Sequence, residues 1–499
     1  MTVVAALAVG GAVMSIGDPV SAGTSIKPYA EAVGPEYEVR ALLSAGDVVP
    51  ETSDPTRQFR MAGIPDGLGA YPNADGTQTL FMSHEANRGA TPQPLVGGAR
   101  YRGAFVSKWI LDADGDVVSG ERAYDSVFLE NTLVGPAAQA NNATPAFARF
   151  CSGFLAGPDV GFDRWIYFAN EEADSPNTFD TLGGLSVAIF DNEAHGLPKL
   201  GRMSKENSVV QDAGARARTV IFSLEDGPPT LDNQLYMYVG KKDRSEDASP
   251  LARNGLDNGE LYVFRSLHPH RYDERTFTDG SIQGEWVPIP DAGAMTDVEL
   301  EAASDAVGAM TFVRLEDGAF NPRNRNELFF VSTGNSSGAD DGVNELGRLY
   351  SLRLHSSRVP KHATLAIVYN ADTVVAEGGD TALSPDNVDT NEDYLMIAED
   401  GTGASSPVIE AKGRYESVWR FDLARGPVGA DASSATRVAE VDPPARDGVP
   451  APVGDWEISG IINTSGLFGP DTWLADVQTT SQLPPLLNDG QLFLLSPAG

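Results

Sequence analysis

The sequence predicts an all-β protein, and a β-propeller of about five to seven blades is the architecture that fits it best. Its apolar runs are short, rich in Val, Ile, Phe, Tyr and Leu, and bounded by Gly, Asp, Asn or Pro. Convincing amphipathic helices are scarce, and 52 Gly with 33 Pro in 499 residues favour a chain that turns often. Short strands separated by turn signals are typical of all-β folds.

The strands also recur as a unit. A strand of the form Gly-x-Leu-Tyr-x-Phe follows a strand that ends in acidic residues at Gly259–Phe264, at Gly347–Leu352 and, more weakly, at Glu416–Phe421. Repeats of four strands, each taking about 45 residues or more, predict propeller blades separated by irregular loop insertions. A pair of β-sandwiches is the alternative. We favour the propeller because its innermost strands bring one end of every blade to a common axis.

A second repeat, an acidic residue or pair beside an apolar strand, predicts what lies at that axis. It occurs at His84-Glu85, Glu171-Glu172, Glu225-Asp226, Glu316-Asp317, Asp386-Asn387 and Trp456-Glu457. Carboxylates that converge repel one another unless a counter-charge lies between them. Hard cations such as Ca²⁺, which take about six to eight oxygen ligands, provide that charge. The sequence therefore predicts a central metal site.

The charge balance excludes several classes of partner. With 36 Lys and Arg against 70 Asp and Glu, the net charge is −34, so no basic stripe exists to neutralise nucleic-acid phosphates. An anionic membrane surface would repel the chain as well, and no stretch is long and apolar enough to span a membrane. Most of the acidic residues are expected on a solvated surface. We therefore expect no nucleic-acid partner and no membrane span.

Residues 1–25 are expected to differ from the rest of the chain. They are small and apolar and resemble the end of a secretory signal with a small-residue cleavage zone, although they lack a basic n-region and a twin arginine. We expect residues 1–25 to be signal-like or disordered, and residues 26–499 to form a single β-propeller domain. A secreted or periplasmic location is the corresponding expectation.

Cys151 is the only cysteine, so no disulfide can form within the chain. By composition a lone cysteine is usually a small buried hydrophobe, and a reactive thiol or metal ligand is the alternative. The six histidines show no metal-ligand spacing, and we expect His84 to hydrogen-bond the backbone at its strand end. The Asp-Gly pairs at Asp75, Asp114 and Asp400 are expected to be hairpin turns.

Taken in order, the motifs of the chain resemble those of one family. The motifs are Pro65–Tyr71 with His84-Glu85, Asn131-Thr132 before Gly135–Ala138, Cys151–Gly153, Glu171-Glu172, Glu225-Asp226 with Tyr238–Gly240, Arg314–Asp317, Ser384–Asn387 with Glu399–Gly401, and Trp456–Gly460 with Asp476–Gln478. Each motif alone is weak. Their order from about Gly63 to Gln478, with the only cysteine among them, resembles the PhoX family of bacterial alkaline phosphatases, which are β-propellers with a cluster of iron and calcium ions.

The resemblance implies a metal-dependent phosphatase acting on small phosphate esters, with Fe³⁺ and Ca²⁺ as cofactors and a monomer favoured. It implies an iron site formed by the thiolate of Cys151 and by Glu85, Glu225 and Glu316. It implies calcium ligands at Glu171 or Glu172, Asp386, Asn387 and Glu457. It further implies that Arg314 binds the substrate phosphate, since a guanidinium suits bidentate contact with an anion, and that Asn131 is a second phosphate contact.

The chain departs from the family pattern at two places. Phe154–Arg164 replaces a Pro-Trp-Gly-x-Trp stretch, and no lysine lies between Gly135 and Cys151, where the family usually has one near the phosphate. A calcium-stabilised propeller with a structural or a ligand- or partner-binding role, without phosphatase activity, is therefore the alternative function. A calcium-dependent lactonase-type propeller is a third alternative, but it leaves Cys151 unexplained. For Arg314 and Glu316, the alternative role is a cross-strand ion pair.

Overall fold

The computed structural model describes residues 23–213, 217–335, 342–356, 361–401, 403–423, 430–443, 451–479 and 488–499. Within these ranges the chain folds mainly into β-strands joined by turns. None of the helices in this part of the chain is long and apolar enough to cross a membrane. All but the last three residues of the predicted signal-like segment 1–25 lie outside the described ranges.

Four strands precede the first blade of the fold. They are β1 (Ala30–Ala32), β2 (Tyr37–Ser44), β3 (Val48–Pro50) and β4 (Gln58–Arg60). Blade I contains β5 (Pro65–Pro72), β6 (Gln78–His84), β7 (Phe105–Leu111) and β8 (Val117–Arg122). Blade II contains β9 (Ser126–Leu129), β10 (Thr132–Pro136), β11 (Phe150–Ala156), β12 (Ile166–Glu171), β13 (Ser186–Phe190) and β14 (Glu193–Gly196).

The later blades carry the longer insertions. Blade III contains β15 (Lys205–Val210), β16 (Arg218–Glu225), β17 (Leu231–Lys241), β18 (Glu260–Ser266) and β19 (Ser281–Ile289), with β20 (Thr311–Val313) paired to β17. Blade IV contains β21 (Leu315–Asn321), β22 (Asn324–Ser332), β23 (Arg348–Leu354) and β24 (His362–Asn370). Blade V contains β25 (Pro385–Thr390), β26 (Tyr394–Glu399), β27 (Ser417–Asp422) and β28 (Thr436–Val441). Blade VI contains β29 (Glu457–Asn463), β30 (Trp473–Thr479) and β31 (Asp489–Pro497).

Short helices occupy the loops between these strands. The α-helices are α1 (Pro250–Arg253), α2 (Asp297–Ala306), α3 (Ala371–Ala376) and α4 (Ser405–Ala411). Single turns of 3₁₀ helix lie at Pro158–Val160, Pro198–Leu200, Ala292–Ala294 and Ala432–Ser434. Only α2 has the full capping box, in which Thr296 and Glu299 bond reciprocally at the helix start.

One strand from each blade lies innermost, and these six inner strands form a closed ring. The inner strands are β5, β11, β15, β21, β25 and β29, and each contacts the inner strand of the next blade, with β29 contacting β5. The close approach of β5 and β11 requires Gly67, because a Cβ at this residue would lie 2.2 Å from the backbone nitrogen of Gly153. The predicted β-propeller is confirmed, and the described part of the chain forms six blades rather than a pair of β-sandwiches.

The last blade joins the two ends of the described chain. Strand β2 pairs with β31 along its whole length, so blade VI takes its outer strand from the N-terminal side and its inner strands from the C-terminal side. Strand β1 similarly extends blade V by pairing with β28. Such pairing closes the ring without leaving a free seam between the first and last blades.

Replacing Leu43 by Ala is expected to weaken this closure. Leu43 lies on β2 and is fully buried in the core between the blades, so the cavity should lower the free energy of unfolding by about 2–5 kcal/mol. Urea denaturation followed by tryptophan fluorescence would measure the loss. Val48→Ala is the control, because Val48 is 39% exposed and should change stability by less than about 0.5 kcal/mol. Equal effects of the two substitutions would contradict the proposed closure by β2.

Candidate metal centre

The inner strands begin at one end of the propeller axis, and five of them carry a potential metal ligand at their second residue. These residues are Asp66, Cys151, Glu206, Glu316 and Asp386, and the sixth strand carries Glu457 at its first residue. The register of each inner strand shifts against its neighbour near this point, so each strand contains a β-bulge. Bulges re-aim side chains, and here they bring side chains from all six blades to the axis.

In each blade we call the strand that pairs with the inner strand the second strand. It ends where the inner strand begins, because the two are antiparallel. In four blades the last residue of the second strand pairs with the first residue of the inner strand, and the following residue is acidic. These pairs of residues are His84-Glu85, Glu171-Glu172, Glu225-Asp226 and Glu399-Asp400. The second member of each pair lies among the ligand residues of the inner strands. Successive side chains alternate in direction, so the first member points elsewhere.

Together these side chains form what we call the axial cluster. Its members are Asp66, Glu85, Cys151, Glu172, Glu206, Asp226, Glu316, Asp386, Asp400 and Glu457. Three overlapping groups within it have ligand atoms less than 4.8 Å apart: Asp66 with Glu85 and Cys151, Cys151 with Glu172 and Glu206, and Glu206 with Asp226 and Glu316. Cys151 Sγ donates to Asp66 Oδ2 at 3.3 Å. The only thiol of the chain therefore lies inside a ring of carboxyl groups.

Burial makes the charged forms of these groups costly. Burial, and then the neighbouring Glu85, raise the pKa of Asp66 from 3.8 to about 8. Burial and the nearby acids likewise raise the pKa values of Glu206, Glu316 and Asp386 well above the ordinary carboxyl range. Burial, and then Asp66, also raise the pKa of the Cys151 thiol. Without another source of positive charge, these groups hold protons.

The donor set fits hard cations together with a transition metal. Asp66 Oδ1 and Glu206 Oε2 are buried and have no hydrogen-bond partner in the described structure, which is unusual for carboxylate oxygens unless an ion completes them. Carboxylate oxygens in this number suit Ca²⁺, and a thiolate among them suits a transition metal such as iron. The pattern does not resemble a structural zinc site, which needs several Cys or His ligands.

Two arginines border the axial cluster. Arg314 donates from Nε and Nη2 to both carboxylate oxygens of Asp226, at 3.0 and 2.9 Å, and its Nη2 lies 3.1 Å from Glu316. Arg149 Nη2 lies 2.6 Å from both Glu85 and Glu172. No described residue accepts a hydrogen bond from Nη1 of either arginine. In each guanidinium the Nη1 nitrogen therefore keeps its two N–H groups available to an anion.

Both arginines have an unusual backbone conformation. Each directly precedes an inner strand and has a positive φ, 40° at Arg149 and 53° at Arg314. Ile64 and Ser384 occupy the same place in blades I and V, with φ of 47° and 43°. Left-handed backbone is uncommon outside glycine and costs about 1–3 kcal/mol per residue. Such strain recurring at the entrance of four inner strands marks the axial end of the propeller as the functional end.

Three predicted site residues lie away from the axial cluster. Asn131 is exposed in the turn between β9 and β10, at the outer edge of blade II, where its amide lies 3.4 Å from Asp257. Glu171 Oε1 accepts hydrogen bonds from the backbone of Ala148 and Phe179 at 2.9 and 2.8 Å. Glu225 accepts one from the backbone of Gln234. The structure therefore places Asn131 away from the axis where its phosphate contact was predicted. Of the alternatives Glu171 and Glu172 it brings Glu172 to the axial cluster, and Asp226 lies there instead of Glu225.

The remaining predicted residues lie at the axis. Cys151, Glu85, Glu172, Glu316, Asp386 and Glu457 belong to the axial cluster, and Arg314 borders it. The amide of Asn387 lies 2.6 Å from Ser152 Oγ, and this hydroxyl bonds Glu206. The backbone contact expected for His84 is confirmed, because its Nδ1 lies 3.1 Å from the carbonyl oxygen of Gly63.

Sequence reasoning missed five residues of the site. They are Asp66, Glu206, Asp226, Asp400 and Arg149. Asp226 and Asp400 are second members of acidic pairs, so strand alternation could have identified them. Asp400 had been expected in a hairpin turn, but it lies at the axis and hydrogen-bonds Glu457. Glu206 has no motif around it, and only the register of β15 reveals it.

One family model and several solved structures are similar to this chain. A family model described as "Alkaline phosphatase PhoX" matches residues 190–437, which run from the end of β13 to β28. No curated protein matches the chain. The structure of Pseudomonas fluorescens PhoX in complex with vanadate, a transition state analogue, has a TM-score of 0.62 and 16% identity, and the match covers 94% of this chain and 97% of that one. At this identity the likeness shows a shared fold.

Two further solved structures share less with the chain. A protein of unknown function from Dyadobacter fermentans has a TM-score of 0.40 and 7% identity, covering 91% of this chain and 98% of that one. The K499G mutant of NanB sialidase from Streptococcus pneumoniae has a TM-score of 0.31 and 8% identity, covering 88% and 68%. Neither TM-score is high enough to support an argument about this chain.

Removing metal should make stability fall as pH rises. The pKa of Asp66 is 3.8 ordinarily and about 8 in the fold, so between these values the folded chain binds more protons than the unfolded chain, and the free energy of unfolding declines with pH. Melting temperatures of chelator-treated protein at pH 5 and pH 8 would measure this decline, and added Ca²⁺ should reverse it at pH 8.

Two variants test whether the axial cluster causes the pH effect. Asp66→Asn should reduce the loss between pH 5 and pH 8, because it removes one titrating carboxyl group. Asp75→Asn is the control, since Asp75 lies exposed in a turn at the opposite end of blade I. A decline unaffected by Asp66→Asn would contradict this origin of the pH dependence.

Proposed function

The chain belongs to the PhoX family of alkaline phosphatases, and from that membership we propose that it hydrolyses phosphate esters at an iron- and calcium-dependent centre on the propeller axis. The observation that carries the proposal is the axial cluster, in which the only thiol and nine carboxyl groups lie beside two arginines. The proposed substrate is a small phosphate ester. A monomeric state and an exported location are part of the same proposal.

The residues proposed to hold iron lie on both sides of Glu206, whose carboxylate groups with Cys151 on one side and with Asp226 and Glu316 on the other. The thiolate and the carboxylates of Glu85 and Glu316 would bind it, with Asp226 in place of the predicted Glu225. Glu172, Asp386, Asn387 and Glu457 would hold calcium, and Asp66 and Glu206 lie where they can serve either ion. When bound, these cations would supply Lewis-acid activation of water and of the ester.

The arginines would bind and orient the phosphate. A phosphoryl group at the axial cluster would meet the Nη1 nitrogens of Arg314 and Arg149, and each of these nitrogens can donate two charge-assisted hydrogen bonds to its oxygens. Both side chains are fixed by ion pairs, at 2.9 Å to Asp226 and 2.6 Å to Glu172. This fixation reduces the conformational freedom lost when the substrate binds.

Arg149 also offers an explanation for the absence of a lysine. The family usually has a lysine near the phosphate between the Gly-Pro-Ala-Ala motif and the cysteine, and this chain has none between Gly135 and Cys151. Arg149 lies within that stretch, two residues before Cys151, and its guanidinium borders the axial cluster. We propose that it provides the positive charge that the lysine provides elsewhere.

Cys151→Ala is expected to lose iron and aryl-phosphate turnover together while keeping calcium. The substitution removes the only soft ligand and leaves the carboxylates intact. Elemental analysis and an aryl-phosphate assay on the same purified sample would measure both effects, with the wild type as reference. Cys151→Ser is the matched variant, because a hydroxyl keeps the size but not the softness of the ligand.

The wild-type sample separates the two candidate functions. Iron, calcium and turnover are expected together. Calcium without iron, and no turnover, would instead favour the calcium-stabilised propeller with a structural or ligand-binding role.

Arg314→Ala should reduce turnover of aryl phosphate by about a hundredfold, because a charged donor to the developing transition-state charge is lost. Iron and calcium content should stay at the wild-type level. Asn131→Ala is the control, since Asn131 lies at the outer edge of blade II, and its turnover should not change. If Arg314→Ala turned over substrate at the wild-type rate, Arg314 would be only an ion-pair partner of Asp226.

A further inference from the structure

We infer that Glu274 is a positioning residue for Arg314, acting through the backbone N–H of Val313. Glu274 lies in the insertion between β18 and β19 of blade III, outside the axial cluster and outside every family motif of the chain. The inference rests on the proposed function in one respect, namely that Arg314 contacts the substrate phosphate. The geometry of the contact itself does not depend on that function.

The carboxylate of Glu274 is fully buried and saturated by protein donors. Its Oε1 accepts hydrogen bonds from Ser332 Oγ at 2.7 Å and Tyr350 Oη at 2.5 Å. Its Oε2 accepts from Val313 N at 2.8 Å and Asn344 Nδ2 at 3.0 Å. A carboxylate has about four acceptor sites, so these four bonds leave none for a cation. Glu274 is therefore a structural acceptor rather than a metal ligand.

The bond to Val313 fixes the backbone next to Arg314. Arg314 has a φ of 53°, in the left-handed region, and Leu315 begins the inner strand of blade IV. On the other side, the carbonyl oxygen of Arg314 accepts a hydrogen bond from Thr333 N at 3.0 Å. Hydrogen bonds thus fix the backbone on both sides of the strained φ of Arg314. Its guanidinium therefore extends to Asp226 from a fixed backbone position.

A similar contact recurs in three other blades. In each of them a buried side chain hydrogen-bonds the backbone of the residue two positions before the inner strand, and we call this contact the clamp. The clamps are His84 to Gly63 O, Glu171 to Ala148 N and Glu399 to Leu383 N, at 3.1, 2.9 and 2.7 Å. Each clamped residue is followed by a left-handed residue, namely Ile64, Arg149 or Ser384. Each of the four blades with a left-handed residue before its inner strand therefore also has a clamp.

In blade IV the side chain that forms the clamp lies on a different element. The three other clamps are the last residues of second strands, paired with the first residue of the inner strand. In blade IV that position is Ser332, which pairs with Leu315 and carries a short side chain. Ser332 instead donates to Glu274, which reaches across from blade III. A glutamate of one blade thus orients an arginine of the next.

Loss of the clamp should weaken phosphate binding without removing metal. In Glu274→Ala, the Ki of inorganic phosphate and the KM for aryl phosphate should rise about tenfold, the scale expected when one positioning contact is lost. Iron and calcium per chain should not change. Glu274→Gln keeps the length and one acceptor oxygen for Val313 N–H, and its NH₂ group can donate to the hydroxyls of Ser332 and Tyr350, so it should recover most of the affinity.

Two comparisons separate positioning from general stability. Glu327→Ala is the matched control. Glu327 is also a buried glutamate, but it lies on β22 of blade IV, far from the axial end, where it bonds Ser351 and Asn321. It should lower the melting temperature without changing the phosphate Ki. The double variant Glu274→Ala with Arg314→Ala should bind phosphate no more weakly than Arg314→Ala alone. Additive losses, or an equal change in Ki for Glu327→Ala, would overturn the inference.

A crystal structure of Glu274→Gln and Glu274→Ala tests the inference even if the wild type proves inactive. In the Ala variant, φ of Arg314 should leave the left-handed region and the 2.9 Å contact to Asp226 should break. In the Gln variant both features should persist. An Arg314 that keeps its conformation and its contact in the Ala variant would overturn the positioning role, whatever the activity of the protein.

Discussion

Repulsion among carboxylates on the propeller axis is the constraint on which the rest of the structure depends. Six inner strands begin at one axis, and in the described chain they and their neighbours bring nine carboxyl groups together against two guanidinium groups. Burial makes each uncompensated charge more costly, because the interior screens charge less than water does. Protons or cations must complete the site, and the folding of this end of the propeller is therefore coupled to what occupies it.

The backbone adapts to this convergence in two ways. Bulges in the inner strands turn the ligand side chains toward the axis, and left-handed residues before four of these strands set the direction of entry. The strained residues persist because buried acceptors or donors bond their neighbours. Arg149 and Arg314 occupy two of the strained positions, so the conformation that starts a blade also aims a cation at the site. The cost of the strain is thus linked to function in blades II and IV.

Much of the fold and part of the site could be predicted from the sequence. Short strands between turn signals predicted the propeller, and the acidic pairs predicted a metal site on its axis. Assignment within the pairs stayed open at Glu171-Glu172 and chose Glu225 instead of Asp226, because strand phase decides which carboxylate faces the axis, and the phase depends on bulges that leave no local pattern. Asn131 failed for another reason, since a motif near the cysteine in sequence lies at the edge of blade II in space. Glu274 could not be found at all, because its partner Val313 lies 39 residues further along the chain and no motif links the two.

The positions of the two arginines tie the binding of an anion to the binding of cations. Arg149 bridges Glu85 and Glu172 at 2.6 Å, and Arg314 bridges Asp226 and Glu316 at 2.9 and 3.1 Å. In the absence of cations, the ionised acids pair with the guanidinium groups and the other carboxyl groups hold protons, so no net positive charge remains to attract an oxyanion. Cations that bind the same carboxylates displace their protons and add positive charge, which attracts an anion together with the two guanidinium groups. Phosphate and metal should therefore bind cooperatively, because cations on the acids leave the guanidinium groups available to the anion.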